Sequence, residues 1–283
     1  MRPRWSIAGT GRGGNGWTNM DMTLNDGRSM PQLGLGTWQI PDAQAAMVVR
    51  RGLDTGFRLV DTAAIYGNEL GVGGGIANED VFIATKLWND RQDDVDAAMD
   101  ESLALLGVDA VDLYLIHWPS PAQGLYVDAW KSLIALREAG KARSIGVCNF
   151  QPEHLDALIA ATGVTPAVNQ IELHPHFQQR DLRAYHEAHG IVTQSWSPIG
   201  QGKDLLTDPT ITAIADRHSR SAAQVVIAWH LAKGLSVIPK ASSAEHLSDN
   251  YAALDLTLDD DDIARIDTMD RPDGRLGPDP LTM

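Results

Sequence analysis

From Pro31 onward, apolar positions alternate between two rhythms. Short runs of aliphatic and β-branched residues cover 33–38, 58–63, 81–87, 111–118, 144–150, 167–173, 191–197 and 236–241. Between them, apolar residues recur at helical spacing over 43–53, 95–106, 127–139, 152–160, 182–189 and 222–231. Most of these stretches stop at a glycine, among them Gly56, Gly107, Gly140, Gly190 and Gly234, as helices commonly do. Strand and helix in alternation is the pattern of parallel strands joined by crossover helices. Eight such units in a chain of this length predict an α/β fold closed as a (β/α)8 TIM barrel, which typically takes about 250 residues. Asn25-Asp26-Gly27 is a hairpin signal within 22–33, so a small N-terminal β-hairpin is expected to plug the barrel floor. Beyond the last unit, 257–269 begins Thr-Leu-Asp-Asp and continues with helical spacing. It predicts an extra C-terminal helix, followed by a Pro/Gly/Asp-rich tail from Arg271 that folds over the barrel mouth. The expected organisation is a disordered extension over 1–20 and one barrel domain over 21–283.

Composition narrows the partners more than the fold. The 283 residues carry a formal net charge of -14, which argues against nucleic acid, because phosphate-backbone binding needs a basic surface. Cys148 is the only cysteine, so no internal disulfide can form. No secretory leader is evident, and no apolar run approaches the roughly 20 residues that span a bilayer. A cytoplasmic, monomeric protein without a membrane partner is the expectation.

Chemistry concentrates at the carboxyl ends of the predicted strands, where barrels of this kind hold their active sites. Asp61 ends one strand, Lys86 the next and His117 the one after, while Tyr66 stands just beyond Asp61. Consecutive strands are neighbours, so all four side chains meet on one rim. A phenol of pKa about 10 is a poor acid at neutral pH unless a cation stabilises its anion. Lys86 can supply that cation, and Asp61 can keep it charged. Tyr66 is then a candidate general acid, and His117 can hydrogen-bond and orient a substrate oxygen. Singly, each has an ordinary structural explanation; the joint placement carries the reading.

Six motifs, in this order, give the chain a resemblance to the aldo-keto reductases. They are Asp61-Thr-Ala-Ala-Ile-Tyr66-Gly-Asn-Glu, Thr85-Lys86-Leu-Trp, Leu115-Ile-His117-Trp-Pro, Ser144-Ile-Gly-Val-Cys-Asn149-Phe, Asn169-Gln170-Ile-Glu-Leu-His-Pro and Ile238-Pro-Lys240. The closest branch is that of the bacterial 2,5-diketo-D-gluconate reductases. The resemblance implies a catalytic tetrad of Tyr66, Lys86, Asp61 and His117, no metal, and NADPH extended across the barrel mouth. Asn149 and Gln170 match the residues that hold the nicotinamide carboxamide, and Trp196 the aromatic on which the ring stacks. Ser197, Pro198, Ile199, Gly200, Gln201 and Gly202 match the pyrophosphate loop, Ala223 lies near the adenine side, and Lys240 faces the 2′-phosphate. Asp249 and Asn250 match adenine contacts; Thr37, Trp38, Asp61, Ala241, Ser242 and His246 complete the expected cofactor site. His117, Trp118 and Trp38 would bind the small-molecule carbonyl substrate, an aldehyde, α-dicarbonyl or keto-sugar.

Three departures from the family pattern stand out. Cys148 replaces a serine beside Asn149, weakening one expected bond to the cofactor. His246 replaces an arginine and Ala241 a serine after Lys240; histidine has neither the charged fork nor the permanent charge with which arginine grips phosphate. NADH is therefore expected to be usable beside NADPH. The third departure is Gly71-Val-Gly-Gly-Gly-Ile, where the second helix reads about one turn short, at an expected cost to stability.

Rival readings are a nicotinamide-binding redox sensor or regulatory subunit, against which the intact tetrad argues, and a metal-dependent barrel hydrolase, which needs ligand-like sets of histidine and carboxylate at strand ends. Gly9-Thr-Gly11-Arg-Gly-Gly14 mimics a dinucleotide-binding loop, but no helical pattern follows it. His174-Pro-His176 is read as structural, and Asp259 to Asp262 as a solvated helix start.

Overall fold

Eight parallel strands stand in the spatial order β10-β9-β8-β7-β6-β5-β4-β3, each hydrogen-bonded to the next. They are β3 (Leu35–Gly36), β4 (Leu59–Asp61), β5 (Phe82–Leu87), β6 (Val111–Ile116), β7 (Ala142–Cys148), β8 (Val168–Glu172), β9 (Val192–Trp196) and β10 (Ser236–Val237). The computed structural model describes residues 21–77 and 79–283, so the glycine pattern at Gly9 lies outside the described residues. Parallel bridges Leu33↔Val237 and Gly36↔Lys240 join the first barrel strand to the last and close the sheet. Gly34 N donates to Val237 O at 2.9 Å and Val237 N to Gln32 O at 2.8 Å, so the edges that an open sheet would leave unpaired are satisfied. A TIM barrel is thus the fold.

Helices cover the outside: α1 (Asp42–Thr55), α2 (Glu69–Ile76), α3 (Val95–Leu106), α4 (Tyr126–Glu138), α5 (Pro152–Thr162), α6 (Arg180–Ala188), α7 (Pro209–His218), α8 (Ala222–Ala232), α9 (Ala244–Tyr251) and α10 (Asp260–Asp267). The six helical stretches expected from periodicity are all present. The extra C-terminal helix starts at Asp260 and not at Thr257, because the Asp259 carboxylate accepts from Asp262 N at 2.8 Å and caps it there. Two helices went unread. α7 opens on Asp208, whose side chain caps Thr210 N ahead of Pro209, and α9 opens on Ser243, whose hydroxyl accepts from His246 N. No helix among the described residues is long and apolar enough to cross a membrane.

The glycines of α2 have a packing reason. A Cβ on Gly71 would sit 2.2 Å from Asp42 O of α1, one on Gly75 2.6 Å from Val49 Cβ, and one on Gly73 2.6 Å from Leu106 O of α3. The short helix is wedged against both neighbours at backbone contact. Its glycines give up helix propensity and gain close approach.

Inside the barrel, the period-two alternation of strands sets chemistry by height. β1 (Asp21–Thr23) and β2 (Ser29–Pro31) pair as the expected hairpin, and its Leu24 and Met30 pack against Leu59, Ala84, Leu113, Leu115 and Val168. That is an apolar floor, in which burying each large side chain is worth roughly 1.5–3 kcal/mol. Two residues further along the same inward faces come Asp61 after Leu59, Lys86 after Ala84, His117 after Leu115 and Gln170 after Val168. Leu33, Val60, Ile83, Tyr114, Ile116, Ile145 and Ile171 face the helices in the larger outer core.

Candidate active site

One cleft of about 1070 Å³ opens at the carboxyl ends of the strands, and Asp61, Tyr66, His117, Asn149, Gln170, Trp196 and Lys240 all reach its wall. Lys86 lies just beneath, fully buried. Its ammonium donates to Asp61 Oδ1 at 2.6 Å and to the Thr62 carbonyl at 2.8 Å, and reaches the Tyr66 hydroxyl at 3.5 Å. The other Asp61 oxygen accepts from Gln170 Nε2 at 2.8 Å. Asn68 anchors the loop that carries Tyr66: its carbonyl oxygen accepts from Thr62 Oγ1, and its amide donates to the carbonyls of Thr37 and Ile40, at 2.7–2.9 Å. Tyr66 itself ends a single 3-10 turn (Ala64–Tyr66) that stops on left-handed Gly67.

Burial works against the charge on Lys86, but Asp61 and Tyr66 outweigh it, and the lysine is held above its ordinary range. Lys86 pulls the Tyr66 hydroxyl down, as the sequence reading supposes, but this is not the largest influence on it. Burial pushes it up to about 12, and the opposing pull of Lys86 does not compensate. The phenol therefore keeps its proton at neutral pH, as a proton donor must. His117 is driven well below the usual histidine range, first by burial and then by Lys86, so its ring is neutral. The ring meets Tyr66 edge-on at 5.7 Å and Trp88 at 5.1 Å between centroids, and its Nδ1 is buried without a partner among the described residues. Cys148 is also fully buried there, and burial raises its thiol.

The arrangement is a charged lysine–aspartate pair under a protonated phenol, beside a neutral imidazole, at the bottom of an apolar cleft. Such a set can give a proton to an oxygen held between Tyr66 and His117. Trp38, Trp88, Trp118 and Trp196 supply aromatic wall around that point, with Trp38 44% exposed.

The wall of the cleft also includes Ser197, Pro198, Ile199, Gln201, Gly202, Ala223, Lys240, His246, Asp249 and Asn250. Asn149 donates to the His117 carbonyl at 3.0 Å and accepts from Trp196 Nε1 at 2.8 Å. Asn149, Ser197 and Gln201 hold left-handed backbone with φ of 64°, 48° and 58°, as does Gln39 at 60°. All four of these residues line the cleft. Four expected cofactor residues stand off the wall. Thr37 is buried, with its hydroxyl on the Asp61 carbonyl; Gly200 and Ala241 are buried behind the surface; Ser242 is exposed beside it. Wall residues that the sequence reading missed are Gly36, Gln39, Ile65, Trp88, Leu206, Ser221, Ala222, Ile238 and, from the tail, Gly277, Pro278 and Met283. Trp88 is the last residue of the Thr85-Lys86-Leu-Trp motif and could have been assigned to the site from it; the tail residues had no local signal.

Among the described residues, no group of three or more histidine, cysteine or carboxylate side chains is placed to hold a metal. His174 instead turns its Nε2 to Glu172 Oε1 at 3.1 Å.

A family model described as the aldo/keto reductase family matches residues 32–271. An aldo-keto reductase of Mycolicibacterium smegmatis is 50% identical over 268 residues, covering 92% of this chain and 97% of its own length. Methylglyoxal reductase DkgA of Salmonella typhimurium is 49% identical over 263 residues, covering 91% and 95%. The crystal structure of a mutant of Gox0644 in complex with NADPH superposes with a TM-score of 0.92 at 50% identity, covering 94% of this chain and 99% of that one.

Proposed function

The chain belongs to the aldo/keto reductase family and is an NAD(P)H-dependent carbonyl reductase; from that premise we propose that it uses NADPH to reduce small aldehydes and α-dicarbonyls, with methylglyoxal as the first substrate to test and keto-sugars as the second. The observation that carries the reading is the rim cluster: Lys86 ion-paired to Asp61 at 2.6 Å, beneath the Tyr66 hydroxyl and beside His117.

The residues fit a nicotinamide dinucleotide. The cleft is of dinucleotide size, and two amide side chains, the Trp196 ring and Lys240 share its wall with Tyr66. Asn149 and Gln170 would hold the carboxamide, Trp196 would stack on the ring, the Ser197–Gly202 loop would follow the pyrophosphate, and Lys240 would face the 2′-phosphate. The bound nicotinamide supplies the hydride to the carbonyl carbon. Tyr66 gives its hydroxyl proton to the carbonyl oxygen as negative charge develops there. Lys86 stabilises the phenolate left behind, and Asp61 keeps Lys86 charged. His117, neutral, directs the substrate oxygen toward Tyr66, and a proton from solvent restores the phenol. Trp38 and Trp118 exclude water around the carbonyl.

His246 is exposed on the cleft wall where the resemblance expects arginine. NADH is accordingly a usable second cofactor, with an NADPH preference below roughly a thousandfold in kcat/KM, about 4 kcal/mol. We place the enzyme in the cytosol as a monomer, with residues 21–283 as its one barrel domain. The net charge of -14 and the buried lone cysteine support that setting.

NADPH oxidation followed by absorbance with methylglyoxal and with a keto-sugar, for wild type beside Tyr66→Phe, tests the reading. Turnover that collapses in the variant while the cofactor still binds is the expected result. Tight cofactor binding with no turnover on any carbonyl would refute it.

A further inference from the structure

Glu172 is the last residue of β8, and the alternation that turns Val168 and Gln170 inward turns Glu172 inward too. Its side chain is 1% exposed. A buried carboxylate is costly unless its oxygens are fully hydrogen-bonded, and here most of the donors are backbone N–H groups of the C-terminal tail. Leu276 N donates to Oε1 at 2.5 Å and Gly277 N to Oε2 at 2.9 Å, with His174 Nε2 completing the set at 3.1 Å. Other tail anchors stand further back: Arg271 N on the His176 carbonyl and the Arg275 guanidinium over the Phe177 ring. Among the described residues, Glu172 accepts the hydrogen bonds that tie the tail down where it meets the cleft.

What it ties down presses on Trp196. A Cβ on Gly277 would lie 2.5 Å from Trp196 Cη2 and 3.1 Å from Glu172 Oε2, so only glycine lets the tail backbone lie against the far edge of the indole. The opposite edge is held by the Nε1 bond to Asn149, a residue itself fixed in left-handed backbone and on the His117 carbonyl. Trp118 adds an edge contact at 6.4 Å between centroids. The indole is thus clamped at both ends of its long axis, by the catalytic rim on one side and by the tail on the other.

We propose that Glu172 and Gly277 are positioning residues for Trp196: through the peptide at 276–277, the C-terminal tail sets the plane of the indole and thereby the affinity for the dinucleotide. This rests on the reading above, in which Trp196 carries the nicotinamide. It differs from a general lid role, because the effect passes through one ring and exists without any carbonyl substrate.

The test is calorimetric binding of NADPH, without carbonyl, to wild type, Gly277→Ala, Glu172→Gln and Trp196→Leu, and to each of the first two variants combined with Trp196→Leu. Near-UV circular dichroism of the indoles and thermal melting are recorded for each. Gly277→Ala and Glu172→Gln are expected to weaken binding tenfold or more and to change the indole signal. In the Trp196→Leu background, either should add less than twofold. An equal further loss in that background, or no loss in the wild-type background, overturns the proposal, because the two residues would then act on tail or cleft without the ring. Should Glu172→Gln fail to fold, Gly277→Ala carries the same cycle. If wild type does not bind NADPH, the parent reading fails and takes this one with it; binding by wild type with no effect of Gly277→Ala removes the positioning role alone.

Discussion

Replacing Asp61 with asparagine keeps the shape of the side chain and removes the partner of a buried charge. In the wild type, one carboxylate oxygen accepts from Lys86 at 2.6 Å and the other from Gln170 at 2.8 Å. An amide has one acceptor oxygen, so its NH₂ group must face either the ammonium or the Gln170 amide, and Lys86 is left fully buried with no counterion, where it either carries an uncompensated charge or gives up its proton. Breaking a buried pair from one side costs about 3–5 kcal/mol. With an unfolding entropy near 0.6 kcal/mol per kelvin for a chain of this length, that is a fall in Tm of roughly 5–8 °C. Activity should fall further than stability, by about 100-fold or more, since Lys86 is no longer held beneath Tyr66. The double variant Asp61→Leu with Lys86→Met separates the two effects: it removes both charges, so most of the lost stability should return while turnover does not. Calorimetric melting together with NADPH oxidation at saturating methylglyoxal reads both quantities. A single variant that melts within 2 °C of wild type, or a double variant that regains activity, would sink the reasoning.

Other expectations follow from the same geometry. Tyrosinate absorbance, as the difference between wild type and Tyr66→Phe without cofactor, should stay flat through pH 10 and rise only toward 12; the phenol's contribution to stability is whole below pH 10 and is lost as pH climbs through 12. A titration centred at or below 10 would contradict the dominance of burial. On α2, Gly75→Ala should cost about 1–3 kcal/mol, because its Cβ would meet Val49 at 2.6 Å, whereas Gly74→Ala, with its nearest neighbour at 3.6 Å, should gain about 0.4–1 kcal/mol; thermal melts with the opposite order would refute the wedge. The Cys148 thiol, buried and raised, should resist a thiol reagent until the protein unfolds, and rapid labelling of the native enzyme would show the barrel top to be open.

Much of this was legible along the chain, because it depends on short-range regularity. Strand and helix periods located every barrel strand, and the adjacency of consecutive strands then put Asp61, Lys86 and His117 on one rim, with Gln170 added by the family resemblance. The hairpin at Asn25-Asp26-Gly27 and the run from Asp61 to Glu69 were equally local. Closure was not. β3 and β10 are two residues each, and what joins them is backbone hydrogen bonding between Gln32, Gly34 and Val237, groups every residue carries and no pattern distinguishes. The net upward shift of Tyr66 was not legible for a related reason: the sequence names the nearby cation, which does pull the phenol down, while the desolvation that overcomes it depends on how completely the surrounding loops cover the phenol. Gly277 is the clearest case. By itself it is one glycine in a tail full of turn residues; its meaning arises from Trp196 and Glu172, each about a hundred or fewer residues away along the chain, arriving on either side of one peptide. Periodicity and motif determine which residues face inward and which chemistry they bring. Burial, closure and close backbone approach are sums over segments distant in sequence, and those only the folded chain could decide.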